Sequence, residues 1–275
     1  MLQYIRIKFK QYTAIKCGIF GILMLTCILI GLNAFKSYSN SVIELTLLIL
    51  TDKLFLSTGF TLIAVAFAND LFRNDPCEIQ LIMRMKTVKK WYMSNLLTAF
   101  IVLSIFTLAY VALAVIVGSL SGYTMTNEWT SGITEQLIAT GSCIEPFGYP
   151  LDAVLYMGFS PVVSLLLSWL FLMLRCFFFV ILANLFSAIC KKRIIGLIAA
   201  VILNFVDMFL FSMFSDMPPV FPYQHSSISA IDGSRASFEM SILYWLVLII
   251  ASAFIAYQYQ TDMSENIMLS ISQDS

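Results

Sequence analysis

From Tyr92 to Val117 the chain carries no charged residue, over a stretch longer than the about 20 apolar residues a helix needs to cross hydrocarbon. Backbone N–H and C=O groups find no water there, so a segment of this kind must be helical. The rest of the chain follows the same pattern: of 275 residues, 60% are apolar and 12% charged, against roughly 45–50% and about 25% in an ordinary soluble domain. Too few polar side chains remain to cover a core in water, so the natural solvent is a bilayer. Five or six spans would leave these 275 residues no room for a second, soluble catalytic domain.

Reading along the chain predicts an all-α polytopic membrane protein with six spans, at about 17–34, 54–68, 92–117, 161–189, 194–214 and 240–257. The first 16 residues form an amphipathic interfacial helix, with Arg6, Lys8, Lys10 and Lys16 interleaved with Leu2, Ile5, Phe9 and Tyr12 at spacings of three and four. The run from Cys17 to Ala34 reads as a retained first span: the string Leu32-Asn33-Ala34 is followed by the large Phe35, a poor cleavage site. Glu44, Asp52 and Lys53 interrupt the apolar residues before the second span. Gly118 to Ser160 is an acidic loop without Lys or Arg, and its Trp129, Ile133, Leu137, Ile138, Phe147 and Leu151 suggest short interfacial helices. Pro161 opens the fourth span at the first helical position, where its missing N–H costs little. Pro218, Pro219 and Pro222 mark a loop before the last span, and residues 258–275 form a short cytoplasmic tail.

The charges give the orientation. Arg6, Lys8, Lys10, Lys16, then Arg73, Arg84, Lys86, Lys89, Lys90, then Lys191, Lys192 and Arg193 fall on one side, twelve bases in all. Lys36, Lys53 and Arg235 fall on the other, which places both termini in the cytoplasm of a cell-membrane protein. The net charge is zero, which argues against nucleic acid as a partner. Six cysteines in no C-x-x-C pair imply neither a metal site nor a disulfide framework.

The segment Asp70 to Lys90 is the most charged in the chain. Asp75 can cap a helix, Pro76 suits its first turn and Glu78 stands where an acid favours the start. Ile79, Ile82 and Met83 then share one face, and Arg84 and Lys86, with Lys89 and Lys90, enrich the end where cations suit the helix dipole. Such a short amphipathic helix either lies on anionic lipid or docks a soluble partner.

An amphipathic basic helix before the first span, six spans with both ends inside, a charged helical loop followed by Lys89-Lys90-Trp91-Tyr92, and a Pro-rich loop before the last span resemble the ABC type-2 permease family. The resemblance covers nearly the whole chain and rests on layout. It implies the membrane half of an exporter, which pairs with a second permease copy or a related subunit and with two copies of an ATPase. It also implies that Asp75 to Lys86 is the coupling helix that meets the ATPase, with Leu2 to Tyr12 as the connecting helix. No glycine here is followed by lysine, so a phosphate-cradling Walker A loop is absent, and ATP and Mg belong on the partner ATPase rather than on this chain.

Two charges fall inside spans. Arg175 lies 16 positions before Lys191, and Asp207 lies 14 after Arg193; at about 1.5 Å per residue their depths are roughly 24 and 21 Å from one basic turn. Consecutive antiparallel spans can bring them together, with Asn204 on the same face as Asp207, and unpaired charges in hydrocarbon are costly. An Arg175–Asp207 ion pair is expected, either locking two helices or taking part in gating or substrate contact.

The remaining candidates are weak. His225, the only histidine, reads as a solvated loop residue. Gly158-Phe159-Ser160 is followed by Pro161 where a nucleophile elbow needs glycine. Phe177, Phe178 and Phe179 cannot share a helix face, and the aromatic residues read as mostly lipid-facing and interfacial. A permease with no catalytic residue of its own, moving an amphipathic or hydrophobic cargo, is therefore the expectation; a non-catalytic scaffold or sensor is the alternative, and an intramembrane enzyme lacks paired acids and a metal cluster.

Overall fold

Thr87 is extended (φ −147°, ψ 132°) and its Oγ1 accepts from Lys90 N at 3.4 Å, which caps the longest candidate span among the described residues. In the computed structural model the described residues are 14–52, 54–68, 87–130, 142–143, 151–152, 158–213, 219–226, 231 and 237–273. They form α1 (Ala14–Phe35), α2 (Val42–Thr51), a π-helical turn (Phe55–Thr61) continued by α3 (Leu62–Ala68), α4 (Val88–Leu120), α5 (Pro161–Cys190), α6 (Arg193–Met213), a 3-10 turn (Pro222–His225) and α7 (Phe238–Gln273). Strands β1 (Ser142–Cys143) and β2 (Leu151–Asp152) make one short antiparallel pair.

Five of these helices are long and apolar enough to cross a membrane, and α2 with the Phe55–Ala68 segment makes a sixth crossing if the two are one span bent by 74°. The chain is thus a multi-pass helical membrane protein. The break falls at Asp52, whose backbone is extended and whose Oδ1 accepts from Phe55 N at 3.0 Å, so the acid ends one helix and caps the next. As one span it would begin at Val42, ahead of the Leu54 expected for the second span. Val42–Thr51, read as an interrupted approach, is a helix buried along its whole length. The other helices overrun the expected spans by a few residues, and α7 runs through most of the expected tail to Gln273.

Among the described residues α5 is the axis of the bundle. It packs against α2, α3, α4, α6 and α7, and 67% of its most apolar stretch is buried, against 22–33% for the other four long helices. An encircled helix buries residues on every side. Phe177, Phe178 and Phe179 are accordingly all buried although they face different ways, and Phe35, Phe60, Phe171, Tyr92, Tyr110 and Trp245 join them. The expectation that aromatic residues mostly face lipid is thereby corrected: Phe178 meets Trp245 edge to face at 5.7 Å and Phe171 meets Phe238 at 5.4 Å, filling the space between α5 and α7.

The turn between α5 and α6 is tight. Lys191 adopts a left-handed conformation (φ 53°) at the C-cap of α5, which costs a non-glycine residue on the order of 1 kcal/mol. Gly196 then lets α6 return close to α5, because a Cβ there would stand 2.2 Å from Ala183 O and 2.0 Å from Ser187 Oγ.

At the opposite end residues 121–130, which follow α4, are not helical. Thr124 N donates to Asn40 O at 2.8 Å and Val42 N to Thr124 O at 2.9 Å, so residues 121–130 lie as an extended strip beside the start of α2. Of the residues expected in interfacial helices, Trp129 is in this strip and Leu151 is in β2. Ile133, Leu137, Ile138 and Phe147 lie outside the described residues.

Candidate functional site

Arg175 sits at the centre of α5 with no exposed surface. Its Nη1 is 3.0 Å from Asp207 Oδ2 on α6 and donates to Ser226 Oγ at 2.7 Å. Its Nη2 donates to Asn204 Oδ1 at 2.7 Å. Asn204 and Asp207 are three residues apart and share a face of α6, so one helix supplies both a countercharge and a neutral acceptor. Asn204 passes the network on, its Nδ2 donating to Ser57 O at 2.8 Å in the π-helical turn. A π-turn leaves carbonyls out of the regular ladder, and here one of them serves a side chain of another helix.

The other half of the site comes from the Pro-rich segment. Tyr223 N donates to Asp207 Oδ1 at 3.1 Å, and Ser226 Oγ donates to Pro222 O at 2.7 Å. The rings of Phe179 and Tyr223 lie 5.1 and 5.4 Å from the guanidinium carbon, in cation–π range. A charge pair this deep is tolerated only when both charges are also hydrogen-bonded, which these contacts accomplish.

His225 lies in the same segment and is 1% exposed, which corrects its reading as a solvated residue. Its Nε2 is 3.1 Å from Pro219 O and its Nδ1 2.8 Å from Ser241 Oγ. A carbonyl only accepts, so Nε2 carries the proton. The ring stacks on Tyr244 at 4.0 Å, and Trp245 Nε1 donates to His225 O at 2.6 Å. Burial holds the imidazole below its ordinary pKa, with the Pro219 carbonyl opposing. Residues 223–226 are buried because their backbone and side chains are used by α5, α6 and α7, while Val220 stays exposed; the prolines announce a loop but say nothing of where it lies.

A second buried charge stands at the start of α2. Glu44 is 1% exposed. Thr130 donates to its carboxylate from N at 2.6 Å and from Oγ1 at 2.7 Å, and Ser39 donates from Oγ. Trp129 Nε1 donates to Phe159 O at 3.0 Å and Val162 N to Asn127 Oδ1 at 3.1 Å, tying the same strip to the start of α5.

The basic end of the bundle is held differently. Lys16 Nζ at the start of α1 donates to Phe67 O near the end of α3 at 3.1 Å, with the Phe67 ring 5.5 Å away. Asp75, Glu78, Ile79, Ile82, Met83, Arg84 and Lys86, and Arg6, Lys8 and Lys10, lie outside the described residues.

The geometry therefore brings Arg175, Asp207 and Asn204 into one cluster, and adds Ser57, Phe179, Tyr223 and Ser226, which sequence reasoning missed. The one sequence signal for the last two was the Tyr-Gln-His-Ser run at 223–226, polar and aromatic together between two apolar spans. Chemically the cluster fixes charge rather than offering a free acid or base. The histidine is engaged by Pro219 and Ser241. Among the described residues no group of three or more His, Cys, Asp or Glu could hold a metal ion. Comparison with protein-family models, with curated proteins and with solved structures finds no match to this chain.

Proposed function

We propose that this chain is the permease subunit of an ATP-driven exporter of the ABC type-2 kind, moving an amphipathic or hydrophobic cargo such as a peptide or lipid-like molecule across the cytoplasmic membrane. Both termini are cytoplasmic in this reading. The hydrogen bond from Lys16 to Phe67 O is the observation that carries it. It joins the first residues of α1 to the last of α3, so the points where residues 1–13 and 69–86 attach to the bundle are adjacent. A connecting helix and a coupling helix that act on one ATPase need that adjacency. The bend at Asp52 adds a joint in the second span, through which a push on its far end can reach the core.

ATP hydrolysis then belongs to a partner chain, this subunit has no catalytic residue, and transport proceeds by alternating access between two permease copies or related subunits. The test is co-purification of the tagged full chain from its native membrane in mild detergent. A P-loop ATPase should accompany it, and Ile79→Asp combined with Ile82→Asp should release that ATPase while the chain stays membrane-inserted. Recovery of no ATPase would instead favour a scaffold or sensor subunit. Asp207→Asn separates the two roles of the ion pair: normal folded yield with altered transport assigns it to gating, and a lowered yield alone assigns it to holding α5 and α6 together.

A further inference from the structure

At the basic end, α4, α5 and α7 leave a cleft of about 450 Å³ between them, lined by Lys89, Met93, Leu96, Ile181, Ile250 and Phe254 among others. Apart from Lys89 and the phenols of Tyr92 and Tyr257, its lining is wholly apolar. Met93, Ile250 and Phe254 are 54%, 66% and 60% exposed, so the cleft opens sideways from the bundle, where a membrane protein meets hydrocarbon. Tyr92 gives its hydroxyl to Ala253 O at 3.0 Å, which holds α4 and α7 together beneath the groove. Lys89 stands at the second position of α4, at the edge of the apolar stretch, with an exposed side chain.

The lining chooses among occupants. The lining of α7 runs from Ile249 to Tyr257, roughly 12 Å at the helical rise. An acyl chain is narrower than a helix because it carries no side chains. The end of the groove is marked by a lysine whose flexible stem can lie along apolar surface while its ammonium reaches the headgroup layer. A cation at the mouth and hydrocarbon-lined walls behind it complement a lipid with a negative phosphate and no compensating amine.

We infer that this cleft is a binding site for one anionic glycerophospholipid, with an acyl chain along Met93, Leu96, Ile250 and Phe254 and its phosphate on Lys89. The inference does not rest on the exporter reading; it needs only that the bundle crosses a membrane. One lysine near an anionic headgroup contributes about 1 kcal/mol, or about fivefold in affinity.

The experiment uses the purified full chain in neutral detergent and phosphatidylglycerol bearing a photoactivated diazirine on its acyl chain, with labelled peptides mapped. Label should fall on Met93, Leu96, Ile250 or Phe254, and unlabelled phosphatidylglycerol should compete about fivefold better than phosphatidylcholine. Lys89→Gln should erase that preference and Lys89→Arg should keep it. Ala253→Phe should abolish labelling in the groove; Ile250→Trp, at an exposed position, should do the same without touching the packed interior. Equal competition by the two lipids, a preference that survives Lys89→Gln, label mapping elsewhere, or a change of oligomeric state on Ile250→Trp would each overturn the assignment.

Discussion

Among the buried charges of the described residues, Arg175 and Glu44 are held in opposite ways. Arg175 is balanced by a carboxylate on the next helix, while Glu44 is held by hydroxyls and a backbone N–H from a loop and its neighbour. The first arrangement joins α5 and α6 and draws residues 222–226 down onto them; the second anchors residues 121–130 to the start of α2. An ion pair needs both members to avoid a naked charge, whereas a carboxylate among hydroxyls distributes the cost over several weaker bonds. The pair should therefore be brittle and the Glu44 site more forgiving.

The largest effect that could break this contrast is Arg175→Leu, which strands Asp207 in the core and should cost about 3–5 kcal/mol, read as loss of monodisperse protein and a lower Tm in detergent. Combining it with Asp207→Leu should recover most of that loss. A double variant as unstable as the single would show that shape rather than charge holds the helices. Glu44→Leu should cost less, about 1–3 kcal/mol, from the donors of Thr130 and Ser39 left without an acceptor. Its readout is faster chymotryptic cleavage at Tyr123 and Trp129, and Glu44→Gln should lie between the wild type and Glu44→Leu.

Gly196→Ala sharpens the comparison by moving α6 without touching a charge. Its Cβ would meet Ala183 O, a backbone atom that cannot rotate away, so the helices must part at a cost of about 1–3 kcal/mol. Ser187→Ala should not rescue it, and Tm checks both. The smallest effect is on pH. Burial lowers the pKa of His225, so the unfolded chain binds the proton first as pH falls. Stability is full above the unfolded value of about 6.5 and declines as pH drops from there through the lowered folded value. Melting followed from about pH 7.5 downward should show this slope, and His225→Gln should remove it.

Arg175 and Asp207 could be paired on paper because helical rise converts sequence distance from a shared turn into depth. Ser226 and Tyr223 could not, since nothing in a Pro-rich run says whether it stays in water or folds back onto a helix. The same blindness misplaced His225. Glu44 looked like an interruption of an apolar run, and its donors, Ser39 and Thr130, lie 5 and 86 residues away; the more distant one becomes a neighbour only when the Thr124 bridge sets the strip beside α2. Asp52 read as a break before a span, and in the fold it ends one buried helix and caps the next.

What the amino-acid order determined alone is that long apolar stretches must satisfy their own backbone as helices, and that the bases cluster at a few turns and ends. What the tertiary structure decided is which helix is central. The candidate spans α5 and α6 differ little in hydropathy, 2.5 against 2.1, yet 67% of one stretch is buried and 22% of the other. In lipid an apolar side chain is equally at home against a fatty acid or another helix, so hydropathy marks what lies in the membrane but not what lies inside the protein. That choice is made by close packing at Gly196 and by the few polar groups, around Arg175 above all, that find partners only in one arrangement.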